Sequence, residues 1–158
     1  MRLYLETTMF NYYFDSERDG HNDTVRLFEK IREGKHEAYT SDFTILELQK
    51  ASEPKQTNML KLINEYGITR LEAEDEVYRL ADLYIKSGAI PVSFRFDSAH
   101  IAIASVNRID CILSYNFKHI NRLKTKILTE KINRAEGYGI VAICTAKEVL
   151  DDERYNEE

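Results

Sequence analysis

The sequence predicts an α/β protein, a three-layer α/β/α sandwich built on a mainly parallel sheet of about five strands. Three observations lead there. Short β-prone runs alternate with longer segments whose apolar residues recur at helical spacing. Such a segment separates each run from the next, so the connections are crossovers, which imply parallel strands covered on both faces. The chain has 158 residues, the length of one ordinary domain. That domain is placed at residues 1–150, followed by an acidic tail at 151–158.

The elements follow in order. Arg2-Leu3-Tyr4-Leu5 is a buried first strand ending at Glu6. An aromatic stretch (Phe10, Tyr12, Tyr13, Phe14) and a polar loop, Asp15 to Gly20, come next. Val25, Phe28 and Ile31 mark a helix capped by Asn22 or Asp23 and stopped at Gly34. His36 to Thr40 is a second strand, and Ser41 or Asp42 caps a helix carrying Ile45, Leu46 and Leu48. Pro54 opens a helix with Met59, Leu60, Leu62 and Ile63 on its apolar side, closed by Gly67. Ile68 to Leu71 is a weak third strand. Val77, Leu80, Ala81, Tyr84 and Ile85 define the clearest helix, from Glu72 to Lys86. Asp97 to Val106 is a helix apolar on nearly all sides, as one packed deep against a sheet would be. Cys111 to Ser114 is a fourth strand, Lys118 to Arg134 a basic and mostly helical segment, and Gly139 to Cys144 a fifth strand. Thr145 caps a short last helix, and the acidic residues after it are expected to fray.

Composition narrows the class. With 43% hydrophobic and 31% charged residues, two prolines and six glycines, the chain reads as globular, not disordered or fibrous. No run is long and apolar enough for a membrane span or a secretory signal, so a cytoplasmic location and no membrane partner are expected. Cys111 and Cys144 lie in strand-like runs without a CxxC pattern and read as reduced thiols. The formal charge of −5 argues against nonspecific coating of nucleic acid, while leaving room for a nuclease with a local basic surface.

Glu6, Glu47 and Asp97 are far apart in the chain, yet each sits where an apolar run meets a polar or helix-starting segment. Ligands of an open α/β sheet bind beyond the carboxyl ends of its strands, and acids converging there would bind a divalent cation. Mg²⁺ and Mn²⁺ suit such oxygen donors, and paired ions can activate water and neutralise a phosphodiester. Each acid also has a plain reading: Glu6 ending a strand in solvent, Glu47 on an exposed helical face, Asp97 as a helix cap. Composition and spacing alone leave the function open.

Four segments resemble the PIN-domain family: Leu3-Tyr4-Leu5-Glu6-Thr7-Thr8-Met9-Phe10, Thr40-Ser41-Asp42-Phe43-Thr44-Ile45-Leu46-Glu47-Leu48, Phe96-Asp97-Ser98-Ala99-His100-Ile101-Ala102-Ile103-Ala104 and Ile112-Leu113-Ser114-Tyr115-Asn116-Phe117-Lys118-His119-Ile120. The resemblance runs to about Leu150. It implies a compact α/β/α fold and a Mg²⁺- or Mn²⁺-dependent ribonuclease, with VapC-like toxins of toxin–antitoxin pairs among its relatives. It also implies an RNA substrate, an antitoxin partner and a homodimer. Carried over by position, Glu6, Glu47 and Asp97 are the first three acids, the catalytic and metal-binding set. Asn116 stands in the place of the fourth, as a neutral metal ligand or substrate contact. Thr7 or Thr8 matches the hydroxyl residue that follows the first acid. Two departures stand out: Glu6 is one methylene longer than the usual Asp, and Asn116 brings no charge.

Thr7, Thr8, Asn116, Lys118 and His119 are the candidate substrate contacts. His100, one turn after Asp97, reads as a hydrogen-bonded core histidine supporting the acids rather than a general base. His119 beside Lys118 reads either as a substrate-phosphate contact or as an ordinary surface pair. Lys118, Arg122, Lys124, Lys126, Lys131 and Arg134 face the single acid Glu130, a local positive surface able to track a nucleic-acid backbone or simply a solvated helix. The aromatics from Phe10 to Phe14 would stack on bases, fill a partner groove or join the core. Besides the nuclease, two readings remain: a weak or inactive PIN-like module that binds RNA or a protein partner, and an α/β protein whose acids never meet.

Overall fold

A computed structural model describes residues 1–157. Its centre is an all-parallel sheet in the order β3–β2–β1–β4–β5, formed by β1 (Arg2–Leu5), β2 (Glu37–Ser41), β3 (Thr69–Leu71), β4 (Cys111–Leu113) and β5 (Ala142–Cys144). The described helices are α1 (Thr7–Phe14), α2 (His21–Arg32), α3 (Asp42–Leu48), α4 (Lys55–Glu65), α5 (Asp75–Lys86), α6 (Arg95–Val106), α7 (Leu123–Ala135) and α8 (Ala146–Glu157). The chain builds outward from β1 through β2 to β3, then returns to add β4 and β5 on the other side. The order therefore reverses between β1 and β4, and the crevice that such a reversal opens at the strand ends is where open α/β sheets bind ligands.

Alternation along the strands sorts the core into two layers. Leu3 and Leu5 pair in register with Cys111 and Leu113, and all four pack toward Met9, Phe10, Leu27, Phe28 and Val149 on one face. Tyr4 and its partner Ile112 point the opposite way, toward Val77, Leu80 and Tyr84 of α5 and Ile101 and Ala102 of α6. Helix α6 is buried at every position from Ser98 to Ser105. Its small residues let it lie close to α5 and the sheet.

Several expectations shift. The aromatic stretch is a helix, α1, started by the Glu6 side chain, and its residues serve the core more than the surface. Phe10 is buried, and the Tyr13 ring meets the edge of Phe28 with centroids 5.0 Å apart. Helix α2 begins at His21 after Gly20, not at Asn22 or Asp23, because the positive φ of Gly20 (103°) turns the chain there, against the Tyr115 ring. Helix α6 starts two residues before Asp97, which sits in its first turn and does not cap it. Cys111 and Cys144 are free thiols on adjacent strands.

The acidic end is also ordered. Residues 151–157 continue α8, and Glu153 reaches the buried His36 Nε2 while its other oxygen lies 4.0 Å from Lys30 Nζ. Among the described residues no helix is long and apolar enough to cross a membrane.

Replacing Glu153 by Gln leaves His36 a weaker acceptor and removes the charge facing Lys30. The thermal midpoint should fall by about 2–4 °C, the shift that about 1 kcal/mol produces in a chain of this size. An unchanged midpoint would mean that the acidic end does not dock.

Candidate functional site

Glu6 leaves the end of β1 and turns into α1. Its carboxylate caps that helix: Oε1 accepts from the Thr8 backbone N–H at 2.7 Å, and Oε2 accepts from the Thr8 hydroxyl at 3.2 Å and the Ser114 hydroxyl at 2.9 Å. Ser114 directly follows β4, so one carboxylate ties together the two strands that flank the order reversal. Glu6 is only 3% exposed. Burial pushes its carboxyl above the usual range, helped by Glu47 and opposed by His100 and the hydrogen bonds from Thr8 and Ser114.

Glu47 projects from α3 toward the same crevice. Its Oε1 accepts from the Thr7 hydroxyl at 2.9 Å and from His100 Nε2 at 2.5 Å. His100 Nδ1 meets the Tyr4 hydroxyl at 2.6 Å, and that hydroxyl lies 2.7 Å from Ser41 Oγ, which also accepts from the Phe43 N–H at 3.2 Å. The relay has a consistent direction when the ring carries both protons: His100 donates to Glu47 and Tyr4, and Tyr4 donates to Ser41. Burial opposes charge on this ring, yet the Tyr4 oxygen, the Glu47 carboxylate and Glu6 outweigh it and push His100 up to about 10. For Glu47, burial is outweighed in turn by the His100 bond and charge, with Thr7 and Lys50 adding to them, so its carboxyl lies below the usual range.

Asp97 comes from the first turn of α6. It lines a shallow cavity of about 370 Å³ with Glu47, Ser93, Phe94, Arg95 and Phe96. Burial raises its carboxyl above the usual range and Glu47 adds to this, while His100, His119 and Asn116 work against it. Asn116 Oδ1 accepts from the His119 N–H at 3.0 Å, capping the turn that follows β4. That bond assigns the amide orientation: its oxygen is engaged, and the NH₂ is left to meet Asp97.

Of the three predicted acids, Glu47 is near enough to both of the others to raise their carboxyls, and Glu6 and Asp97 do not share a cavity. Glu47 and Asp97 face the cavity, whereas Glu6 is buried behind them. Asn116 Oδ1 accepts one hydrogen bond from its own loop, which leaves a second lone pair for the ligand or substrate part expected of it. Thr7 and Thr8 donate to Glu47 and Glu6 rather than standing free for a substrate. Lys118 is exposed, as are Arg122, Lys124, Lys131 and Arg134. His119 is no surface residue. It is 9% exposed, stacks on Phe94 with centroids 3.8 Å apart, and neither ring nitrogen has a hydrogen-bond partner. Sequence reading missed Tyr4, Ser41 and Ser114, whose hydroxyls sit next to strand ends, and Lys50 and Arg95, which carry positive charge at the cavity. Their position after a strand or beside an acid is the only signal the sequence held.

Among the described residues no group of three His, Cys, Asp or Glu side chains is assembled to hold a metal ion. The carboxylates of Glu47 and Asp97 nonetheless offer hard oxygens to one cavity, and Glu47 Oε2 is free of the bonds that occupy Oε1. Two carboxylates with waters completing the shell suit Mg²⁺ or Mn²⁺.

No family model matches the chain, and no curated protein does. Among solved structures it is similar to a chain of VapBC2 from Rickettsia felis, whose crystal structure is bound to a DNA fragment from their promoter. The TM-score is 0.53 at 18% sequence identity, over 76% of this chain and 93% of that one. At that identity the likeness shows the fold.

Two measurements follow from the charge balance. Because the folded state holds Asp97 above its ordinary value, ionising it costs stability at neutral pH; that cost vanishes as pH falls below the ordinary aspartate range. Asp97→Asn should therefore raise the thermal midpoint at neutral pH by about 2 °C or more, and a fall would contradict the burial assigned to this carboxylate. His100 works in the opposite sense: its raised value contributes stability that is full below 6.5 and is lost as pH rises toward about 10. The midpoint should decline across that window in the parent and less steeply in His100→Gln; parallel pH curves would show a neutral ring.

Proposed function

We propose that the protein is a Mg²⁺- or Mn²⁺-dependent phosphodiester hydrolase, an endoribonuclease resembling the PIN-domain family. The observation that carries this reading is the meeting of Glu47 and Asp97 on one cavity at the carboxyl end of a parallel sheet, with Glu6 buried behind them beside the order reversal. Glu47 and Asp97 would hold the ion. Glu6 reinforces the negative field and fixes the Thr8 and Ser114 hydroxyls around it. His100 pins Oε1 of Glu47 and leaves Oε2 turned to ligand duty. Asn116 steadies the Asp97 carboxylate through its NH₂. When bound, the ion would supply activation of an attacking water and neutralisation of the phosphodiester charge. Exposed Lys118 and the basic face of α7 would guide the RNA backbone toward the cavity.

The resemblance, together with the fold shared with a VapBC2 chain, supports extending the proposal to a cytoplasmic toxin that pairs with an antitoxin protein and forms a homodimer. The missing charge at Asn116 favours a second reading, a weakly catalytic or inactive module that binds RNA or a protein partner. With one fewer carboxylate than a four-acid site, the cavity would hold its ion loosely.

Mn²⁺ binding by calorimetry and cleavage of single-stranded RNA, measured on the same samples, separate the two. The nuclease reading expects both in the parent protein and a loss of about a hundredfold or more in Asp97→Asn, since even the partners of ligands cost 10- to 100-fold when removed. Metal binding without cleavage would leave the binding module. In that case Asn116→Asp should tighten Mn²⁺ and bring cleavage with it.

A further inference from the structure

The acid cavity has a neighbour on the other side of Arg95 and Phe96. Arg95 and Phe96 also line a second, more enclosed cavity of about 530 Å³, whose walls include Phe43, Tyr78, Ile85 and Ala99. The two hollows therefore share one wall, the pair Arg95 and Phe96. The second is an aromatic box: the Phe43 and Tyr78 rings meet edge to face with centroids 6.0 Å apart, and Phe43 and Phe96 are 5.9 Å apart and tilted by 51°. The core has closed around Phe43, which is 5% exposed, yet Tyr78 on the outer wall is 56% exposed.

The charges around this pair of cavities are uneven. Arg79 is paired with Glu136 at 2.9 Å and Asp82 with Lys86 at 2.8 Å, so both are already balanced. Arg95 is exposed and forms no ion pair among the described residues, and Lys50 Nζ lies 5.2 Å from the centre of the Phe96 ring. Two cations thus border the ring that separates the acid cavity from the aromatic one. An aromatic cavity bordered by the Arg95 and Lys50 cations matches one unit of a polyanion whose flat rings hang from its charged backbone.

We propose that the Phe43–Tyr78–Phe96 cavity receives an unpaired nucleobase of a single-stranded nucleic acid, with Arg95 holding the adjoining phosphate beside Glu47 and Asp97. This rests on the nuclease reading for the neighbouring phosphate. It adds a source of selectivity: a base held in a duplex cannot reach an enclosed wall without leaving its partner, whereas a single strand offers every base for stacking. Stacking on a ring tolerates any base, so the cavity selects strandedness more than sequence.

The test uses the full chain in EDTA and reads the affinity for eight-nucleotide oligouridylate, its deoxy counterpart, a version abasic at alternate positions and a duplex of the same length. Tyr78 lies on the exposed side of α5 and its ring also packs on Phe43, so an unchanged thermal midpoint in Tyr78→Ala is required alongside the binding data. Loss of one stacking partner predicts that Tyr78→Ala weakens single-strand binding by about fivefold or more, while Tyr78→Phe stays within about twofold. Arg95→Ala should weaken binding and reduce the salt slope by about 0.7, the share of one phosphate contact on a single strand. The abasic strand and the duplex should bind the parent as poorly as the intact strand binds Tyr78→Ala. Tyr78 dependence with either sugar supports the proposal and identifies the nucleic acid. Equal affinities for parent and Tyr78→Ala would overturn it, as would tight binding of the abasic strand. Competition by N-acetyltryptophanamide without oligonucleotide binding would also overturn it, in favour of a peptide side chain. Cleavage in Mn²⁺ keeps the two hypotheses apart: Tyr78-dependent binding with no cleavage removes the nuclease and leaves the pocket, whereas Asp97-dependent cleavage with binding indifferent to Tyr78 does the reverse.

Discussion

The arrangement depends on one buried imidazole. His100, 1% exposed, joins Glu47 of α3 to Tyr4 of β1 and, through that hydroxyl, to Ser41 at the end of β2. Carboxylates gathered in a poorly solvated crevice repel one another, and each loses hydration on being buried. A cation inside the fold answers both costs. It lets Glu47 ionise readily while Glu6 and Asp97 remain under strain, and so divides three chemically similar acids into a settled one and two reluctant ones.

Topology supplies the meeting point. Because β1 and β4 are neighbours at the reversal of strand order, the segments that leave them, Glu6 to Thr8 and Ser114 to Asn116, cross-link at once. The Tyr115 N–H donates to the Thr8 hydroxyl at 2.8 Å and the Ser114 hydroxyl to Glu6 at 2.9 Å. Glu6 therefore has two duties, as the cap that begins α1 and as the innermost charge of the site. Its extra methylene suits the first duty, since the side chain must fold back over its own helix to reach the Thr8 N–H.

Legibility in the sequence tracked the range of the forces involved. The β-prone run of Leu3, Tyr4 and Leu5 and the helical period of Val77, Leu80, Ala81 and Tyr84 are local patterns; the strand stands where it was read, and the helix begins at Asp75, three residues later than expected. Helix α1 was not legible, because Thr7 to Phe14 lacks a polar face with a clear period and is rich in aromatics that are poor helix formers. Its stability comes from Glu6 and from packing on α2. The ordered acidic end was hidden for a similar reason, for its anchor, His36, lies more than a hundred residues upstream. Glu6, Glu47 and Asp97 were legible as a group because each sits where an apolar run meets a polar or helix-starting segment and because the segments around them resemble the PIN-domain family. The orientation of Asn116 was not, since it is set by the N–H of His119 three residues later.

Helix α6 presents Asp97 at its first turn and then disappears into the protein for eight residues, Ser98 to Ser105. Small residues there are fixed by the closeness of α5 and the sheet, not by chemistry. A scan of all substitutions would thus record a long intolerant stretch beginning at the acid, most of it reporting crowding. Diversification of whatever this crevice recognises has to be written elsewhere, on the exposed faces of α5 and the segment before α6. Exposed residues such as Tyr78 of α5 and Arg95 at the start of α6 can change while the interior stays put.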